Sequence, residues 1–190
     1  MQNKTIRFII ITTPPEQISR ELTGLIEKLA DIGKTKAARQ YPPHITLRTG
    51  VLVPEPELNF FFKDFKKVTD ELSAFHIETK GIDIITYNDN GAVRYLVYYR
   101  IKENPELRHT NKRLLTYSLY KKSNKTGFHP HLSLAYKDID ESGLNRIKSY
   151  LKYNNHRRDY SWLCDNIGFY YENSGKWQPY HVFTLKDQGN

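Results

Sequence analysis

The chain has 190 residues, of which 38% are hydrophobic and 13% aromatic, and its formal net charge is +8. This length suits one domain, and the apolar content is too high for a disordered chain. No apolar run approaches the length of a membrane span, so we expect no membrane association. The first apolar run ends in Thr-Thr-Pro-Pro without a small-residue cleavage site, which predicts a strand and not a signal peptide.

Cysteine usage and charge distribution further limit the class of protein and the partners that the sequence predicts. Cys164 is the only cysteine, which excludes an internal disulfide and a cysteine-based zinc site. We therefore expect a cytoplasmic protein, and a monomer. Between Arg94 and Lys125 the sequence has nine basic residues and two acidic ones. This local charge favours a phosphate-bearing partner, although a solvated lysine-rich face would have the same composition.

The first part of the chain predicts a strand, a helix and a second strand. Residues 6–12, IRFIIIT, form a β-rich apolar run. Thr13 and Glu16 have the spacing of a capping box, which predicts that a helix with one apolar stripe begins there. A polar loop over residues 31–41 follows, and two prolines then stiffen the start of the strand HITLRTGVLV.

The rest of the chain repeats this alternation of helices and strands. Asn90-Gly91 lies between two β-rich runs and is a strong hairpin signal. The other predicted elements are a helix over 57–72, a helix beginning at Asn104, a strand over 128–138, a helix over 139–151, and a closing hairpin of YSWLCDNIGFYYE with KWQPYHVFTLK. In each half a helix and a loop precede a Pro-His strand, which indicates two similar lobes around a shared cleft.

Two short stretches, PPHITLRTG and HPHLSLAYK, share the pattern Pro-His-aliphatic-(Thr/Ser)-Leu. Because alternate side chains of a strand share a face, His44 and Thr46 point to one side with Arg48. His131 and Ser133 do the same in the second stretch. Each strand is therefore predicted to bury its aliphatic residues in one lobe and to present an imidazole and a hydroxyl to the cleft.

The other histidines of the chain provide a comparison. Of seven histidines, only His44 and His131 follow a proline and have a hydroxyl residue two positions later. One such motif would be explained by a polar strand face, whereas two matching copies indicate one shared site. Two imidazoles can serve as base and acid near neutral pH, and two hydroxyls can stabilise the charge on a phosphate in the transition state. This set suits cleavage of a phosphodiester without a metal.

The two Pro-preceded H-x-(S/T)-x motifs, between 80 and 90 positions apart, resemble those of the 2H phosphoesterase superfamily. The resemblance extends from IRFIIIT to the last hairpin. It implies an α+β class with one bilobal, pseudo-two-fold domain over residues 1–190, in which two antiparallel sheets face a central cleft with helices outside. It also implies that His44 and His131 are the acid–base pair and that Thr46 and Ser133 bind the phosphate. In the family's hydrolases the second histidine usually activates water, and the first protonates the leaving oxygen.

Three further residues are candidates for substrate binding. The motif HLSLAY is closest to plant-type cyclic phosphodiesterases, and the resemblance places Tyr136 beside the pocket. Regular alternation would turn Tyr136 away, so a bulge or strand end near Ala135 is needed. Arg48 could contact phosphate or pair with a carboxylate across the sheet. Phe128 could stack on a base, but aromatic residues on strands are more often part of the core.

These observations lead to one main hypothesis and several alternatives. We predict a metal-independent phosphoric diester hydrolase of the 2′,3′-cyclic-nucleotide type, with no cofactor, that acts on nucleotides or RNA ends bearing a 2′,3′-cyclic phosphate. The alternatives are a phosphodiesterase for 2′-5′ oligonucleotides or cyclic dinucleotides, and a non-catalytic RNA-binding module. A metal site at His129 and His131 is a minor alternative, since no carboxylate lies at a familiar spacing. The sequence has no glycine-rich phosphate loop, which argues against an ATP-dependent ligase.

Overall fold

The computed structural model describes residues 4–117, 127–154 and 158–187, and these residues form an α+β fold. The strands are β1 (Thr5–Thr12), β2 (Ile45–Pro54), β3 (Phe75–Asp89), β4 (Ala92–Ile101), β5 (His131–Tyr136), β6 (Ser161–Cys164), β7 (Asn166–Asn173) and β8 (Lys176–Thr184). The helices are α1 (Glu16–Gly33), α2 (Leu58–Asp70), α3 (Pro105–Arg113) and α4 (Glu141–Tyr153), with 3₁₀ turns at Ala37–Gln40, Glu55–Glu57 and Leu114–Tyr117.

All eight strands belong to one antiparallel sheet of order β6-β3-β4-β5-β2-β1-β7-β8. The sheet consists of two four-stranded halves, which meet where β5 lies beside β2. Only one pair of described residues, Ile45 with Leu132, is in register at this junction. The predicted α+β class is thus confirmed, and the two predicted antiparallel sheets are the two halves of one sheet.

The helices cover the outer face of the sheet, and one apolar core lies between them. Each helix contributes fully or almost fully buried side chains to this core, namely Leu22 and Leu29, Phe65, Leu107, and Ile147. A smaller apolar cluster of Ile9, Ile11 and Tyr170 lies apart from this core. The strands therefore have their main apolar contacts on one face and leave the other face for the cleft.

Two predictions about local structure are wrong. The α1 helix begins at Glu16 after Pro15, without a side-chain cap. Thr13 does not form the predicted capping box, because Asn166 at the start of β7 engages it. The Asn166 Oδ1 accepts from the Thr13 backbone N–H at 3.0 Å, and the Asn166 Nδ2 donates to the Thr13 carbonyl at 2.9 Å.

The closing hairpin is also shorter than predicted. Only β7 and β8 form it, whereas β6 pairs with β3 at the opposite edge of the sheet. The chain crosses between the two halves at Asp165, where only Asp165 and Asn166 separate two β-rich runs of the sequence. The hairpin predicted at Asn90-Gly91 is confirmed, with positive φ angles of 52° and 86° at the two turn residues.

Three basic residues of the charged segment, Lys121, Lys122 and Lys125, lie outside the described residues. In the part of the chain that is described, no helix is both long enough and apolar enough to cross a membrane. A single domain over 1–190, a monomeric state and a cytoplasmic location stay predictions.

The contact between α1 and α4 depends on a glycine. A Cβ atom at Gly143 would lie 2.5 Å from the carbonyl oxygen of Gly33. We therefore expect Gly143→Ala to destabilise the protein by about 1–3 kcal/mol, because neither backbone can move away without repacking. Gly24, in the exposed middle of α1, is the matched control, since a Cβ there meets nothing within 4 Å.

Urea unfolding measures both variants. Gly24→Ala should raise the free energy of unfolding by about 0.5–1 kcal/mol through lower backbone entropy in the unfolded chain. If Gly143→Ala proves as harmless as Gly24→Ala, the close approach of the two helices is not a feature of the folded protein.

Candidate active site

The two predicted histidines have the same local environment. The Nδ1 atom of His44 lies 2.8 Å from the carbonyl oxygen of Pro42, and Nδ1 of His131 lies 2.9 Å from the carbonyl oxygen of His129. In each motif the acceptor is two residues earlier, and a proline separates it from the histidine. A neutral imidazole that donates from Nδ1 keeps its proton-accepting lone pair on Nε2. In this tautomer, Nε2 is the atom of each ring that can accept a proton.

The two motifs also share an irregularity in their strands. The pairing of β1 with β2 shifts register between Thr46 and Arg48, and the pairing of β4 with β5 shifts between Ser133 and Ala135. A bulge adds one residue and exchanges the two faces of the strand beyond it. The bulge near Ala135 that the prediction for Tyr136 required is therefore present.

A single cavity of 280 Å³ brings these side chains together. Counted from the histidine of each motif, the first, third and sixth residues line the cavity. These are His44, Thr46 and Thr49 in one segment and His131, Ser133 and Tyr136 in the other. Thr49 was not predicted from the sequence. Its position matches that of Tyr136, and a search for residues five positions after each histidine would have found it.

The junction of the two halves determines how the motifs face each other. Ile45 and Leu132 are opposite residues in an antiparallel pair. Extending this register by one residue on each side places His44 opposite Ser133 and Thr46 opposite His131. Opposite residues have Cβ atoms about 4.5–5.5 Å apart, and diagonal ones are about 7–8 Å apart. The imidazoles thus occupy one diagonal of the site and the hydroxyls the other.

The environment of His44 changes its acidity. The side chain is only partly exposed and lines the cavity. Desolvation by the surrounding protein lowers the pKa of His44 from 6.5 to about 4, and the nearby His131 contributes a smaller lowering effect. The hydrogen bond to Pro42 acts in the opposite direction but is weaker than the desolvation. At neutral pH, His44 is therefore uncharged.

Aromatic side chains enclose the histidines. Tyr41 stacks on Trp177 with ring centroids 5.2 Å apart and contacts the ring of His44 at 5.4 Å. Tyr98 approaches His131 edge-on at 5.5 Å. Burial raises the pKa of the Tyr136 hydroxyl, and the nearby Tyr41 adds to this effect. Tyr136 is thus a neutral hydrogen-bonding group at the cavity wall.

The structure does not bring Arg48 to the cavity. Arg48 pairs with the buried Ile10 of β1, beyond the bulge, and its guanidinium donates to Asn111 on α3. Asn111 in turn donates to the Leu47 carbonyl at 2.7 Å. Strict alternation predicted that Arg48 shares the face of His44, and this prediction is wrong because the register shift intervenes.

Phe128 is also not among the residues that line the cavity. Its side chain is partly buried and packs against the main core. The backbone carbonyl of Phe128 accepts a hydrogen bond from Arg108 at 3.2 Å. The structure therefore gives Phe128 a packing position, whereas Tyr41 is the aromatic ring beside His44.

Asp138, just after β5, connects the two motifs through hydrogen bonds. Its carboxylate accepts from the Thr35 hydroxyl and from the backbone N–H groups of Lys36 and Ala37, the latter two at 2.7 and 3.3 Å. These hydrogen bonds lower the pKa of Asp138 despite its partial burial, which acts in the opposite direction. The segment that leads to His44 is thus fixed to the strand that carries His131. Sequence reasoning missed this residue.

The family model of the 2′-5′ RNA ligase superfamily matches residues 14–176, which include both motifs. The chain belongs to this superfamily. The resemblance to 2H phosphoesterases is thereby confirmed. Membership of this superfamily supports a phosphodiesterase-type function, which makes the protein a phosphoric diester hydrolase.

Individual relatives agree with this assignment. A provisionally named phosphoesterase of Halalkalibacterium halodurans is 27% identical over 149 residues, covering 76% of this chain and 80% of that protein. The crystal structure of E. coli LigT complexed with 3′-AMP aligns with a TM-score of 0.63 at 15% identity, over 96% of this chain and 99% of LigT. A protein structure from Thermus thermophilus aligns with a TM-score of 0.60 at 14% identity, over 97% and 100% of the two chains. These structures share the fold.

The lowered pKa of His44 can be measured by NMR. We expect the His44 imidazole to titrate with a midpoint of about 4, because burial disfavours its charged form. His131→Ala should move this midpoint upward but not to 6.5, since the larger cause, desolvation, remains. Loss of the signal in His44→Ala assigns the resonance.

The same shift affects stability. Between pH 6.5 and about 4 the unfolded chain takes up a proton at His44 while the folded chain does not. Stability contributed by the neutral His44 is therefore present above pH 6.5 and decreases as the pH falls through this range. An NMR titration midpoint of 6.5 for His44 in the wild-type protein would contradict the buried environment of this side chain.

Proposed function

We propose that this protein is a metal-independent phosphodiesterase that opens 2′,3′-cyclic phosphates of nucleotides or RNA ends, with His44 and His131 as its acid–base pair. One observation carries the proposal: two equivalent imidazole–hydroxyl pairs from two strands line one cavity. Each imidazole is oriented by a backbone carbonyl, which leaves Nε2 for proton transfer. The cavity volume is close to the lower end of about 300–1,000 Å³ for ligand sites, which suits one terminal nucleotide.

The proposed reaction needs one base and one acid. One imidazole accepts a proton from water, and the water oxygen forms a new bond to phosphorus. The bond between phosphorus and one ribose oxygen breaks, and the second imidazole, as imidazolium, donates a proton to that oxygen. The product is a 2′- or 3′-monophosphate. The strained ring needs no activated leaving group, which makes this substrate suited to a site with only imidazoles and hydroxyls.

The hydroxyls of Thr46 and Ser133 are proposed to bind the non-bridging phosphate oxygens. Both side chains are partly exposed and line the cavity. As charge shifts to these oxygens in the transition state, hydrogen bonds from positioned donors become stronger. The 3′-AMP named in the LigT structure is a nucleoside 3′-monophosphate. It has the chemistry of one of the two products expected here, which supports the proposal.

Substitution of either histidine tests the acid–base pair. We expect His44→Ala and His131→Ala each to lower kcat for 2′,3′-cyclic AMP by about 10²–10⁴, the usual contribution of a general acid or base. Turnover is measured in EDTA by separating the 2′- and 3′-monophosphates. His109→Ala is the matched control, because His109 is exposed and is not among the residues lining the cavity. Loss of wild-type activity in EDTA would exclude the metal-independent mechanism.

An activated leaving group assigns the two roles. A p-nitrophenyl phosphodiester needs little help from an acid, so the variant that lacks the acid should recover most of its relative activity on this substrate. The family resemblance implies that His44→Ala is the recovered variant. Equal recovery of both variants, or of neither, would argue against a division of acid and base work between the two histidines.

The phosphate-binding role of the hydroxyls has a different kinetic signature. Thr46→Val and Ser133→Ala should each lower kcat by about 10²–10³ with a smaller change in KM, as for removal of one oxyanion donor. Thr46→Ser and Ser133→Thr exchange the residues of the two motifs and keep each hydroxyl, so they should retain most activity. Equal activity of Thr46→Val and Thr46→Ser would show that the Thr46 hydroxyl does not bind the phosphate.

A further inference from the structure

A polar contact links the two halves of the sheet in addition to the register pair of Ile45 with Leu132. In this contact the Asp138 carboxylate accepts from the Thr35 hydroxyl and from the backbone N–H groups of residues 36 and 37. We call this set of hydrogen bonds the Asp138 clasp. It joins the residues just after β5 to the segment between α1 and β2.

The clasp and the register pair lie at opposite ends of the two segments that carry the histidines. Asp138 is seven positions after His131, and Ala37 is seven positions before His44. At the other end, the register pair consists of the residues that directly follow the two histidines. A segment fixed at two points keeps its direction, whereas a segment fixed at one point can turn about it. The relative orientation of the two imidazoles therefore depends on the clasp as well as on the register pair.

Other contacts hold these two segments unequally. β5, which carries His131, pairs with β4 from one end to the other. The segment over residues 37–44 belongs to no strand and begins with the 3₁₀ turn Ala37–Gln40. Because β5 is held by its neighbouring strand, loss of the clasp would displace the segment that leads to His44.

The clasp holds the beginning of that segment. The Thr35 side chain is buried, and its hydroxyl donates to the Asp138 carboxylate. The N–H groups of Lys36 and Ala37 lie at the start of the 3₁₀ turn, where backbone N–H groups have no acceptor within the turn. One carboxylate thus satisfies three donors and fixes them in one arrangement, since hydrogen bonds to an ionised acceptor are the stronger kind.

The end of the same segment contacts His44. The carbonyl oxygen of Pro42 lies 2.8 Å from Nδ1 of His44. The ring of Tyr41 is 5.4 Å from the imidazole, measured between centroids, and Ala38 of the 3₁₀ turn lines the cavity. A displacement at residues 35–37 would thus reach the imidazole through its hydrogen bond and its aromatic neighbour.

We propose that Asp138 is a positioning residue of the active site, which sets the orientation of His44 relative to His131 by holding residues 35–37. Asp138 is not among the residues that line the cavity, so it acts through the segment that it holds. This inference rests on the proposed function and adds to it a residue from outside the cavity.

Kinetics on 2′,3′-cyclic AMP tests the positioning role. Asp138→Ala should lower kcat by about 10²-fold with a smaller change in KM, because a misplacement of reacting groups by about 1 Å has an effect of this size. Asp138→Asn should also lower kcat, since the amide nitrogen cannot accept from the Lys36 N–H. Thr35→Val should have a smaller effect, because it removes one of three donors, and Thr35→Ser should restore kcat by keeping the hydroxyl.

Asp140→Ala is the matched control. The Asp140 carboxylate caps α4, where it accepts from the Gly143 N–H at 2.5 Å and from the Ser142 hydroxyl at 3.0 Å. Both alanine variants should lower the melting temperature, but only Asp138→Ala should lower kcat when activity is measured well below the melting temperature of either. An equal fall in kcat in the two variants, or an unchanged kcat in Asp138→Ala, would overturn the inference.

NMR of the imidazole nitrogens tests the same inference without a substrate. At a pH where both rings are neutral, wild-type His44 and His131 should each carry the proton on Nδ1. Asp138→Ala should mix the two tautomers of His44 and leave that of His131 unchanged, since the acceptor for His131 lies outside the clasped segment. An unchanged His44 tautomer would overturn the positioning role even if kcat fell. Absence of turnover by the wild-type protein would contradict the proposed function, and the His44 tautomer would still decide the positioning role.

Discussion

The pairing of Ile45 with Leu132 is the contact on which the site depends. Both side chains are fully buried, and theirs is the one register pair between the two halves of the sheet among the described residues. A shift by one residue would reverse the faces of a whole strand, so burial of these two side chains fixes which face carries the imidazoles. The same register sets each histidine opposite the hydroxyl of the other motif. The geometry of the candidate site is thus a consequence of core packing.

Two local backbone features, repeated in both strands, complete this geometry. The residue before a proline is restricted to extended conformations, which fits the carbonyl of Pro42 and that of His129 accepting from the imidazole two residues later. The bulge after each hydroxyl residue then returns a later side chain, Thr49 or Tyr136, to the cleft. The repetition of these backbone features supports a two-fold relation that the sequence outside the motifs does not reveal.

Sequence reasoning succeeds here where a property is local and fails where tertiary contacts compete. Alternation within a strand predicted His44 with Thr46 and His131 with Ser133 correctly as neighbours lining one cavity. It misplaced Arg48, because a bulge depends on the partner strand and leaves no mark in the sequence. The capping box at Thr13 failed for the same reason, since Asn166, far away along the chain, engages that residue. Asp138 was missed because its three acceptor contacts join segments about one hundred positions apart.

The distribution of positive charge in the cavity fits the acid–base chemistry proposed for the histidines. An arginine in the cavity would repel an imidazolium and lower its pKa further, and His44 is already shifted to about 4. The acid step would then lack a protonated group. Arg48, only two positions after Thr46, is directed to Asn111 on the outer face instead. With cations kept out of the cavity, a bound phosphate is the main local charge, and its negative charge favours the protonated form of one imidazole. In the proposed reaction, the substrate itself would thus favour the protonated state of the acid.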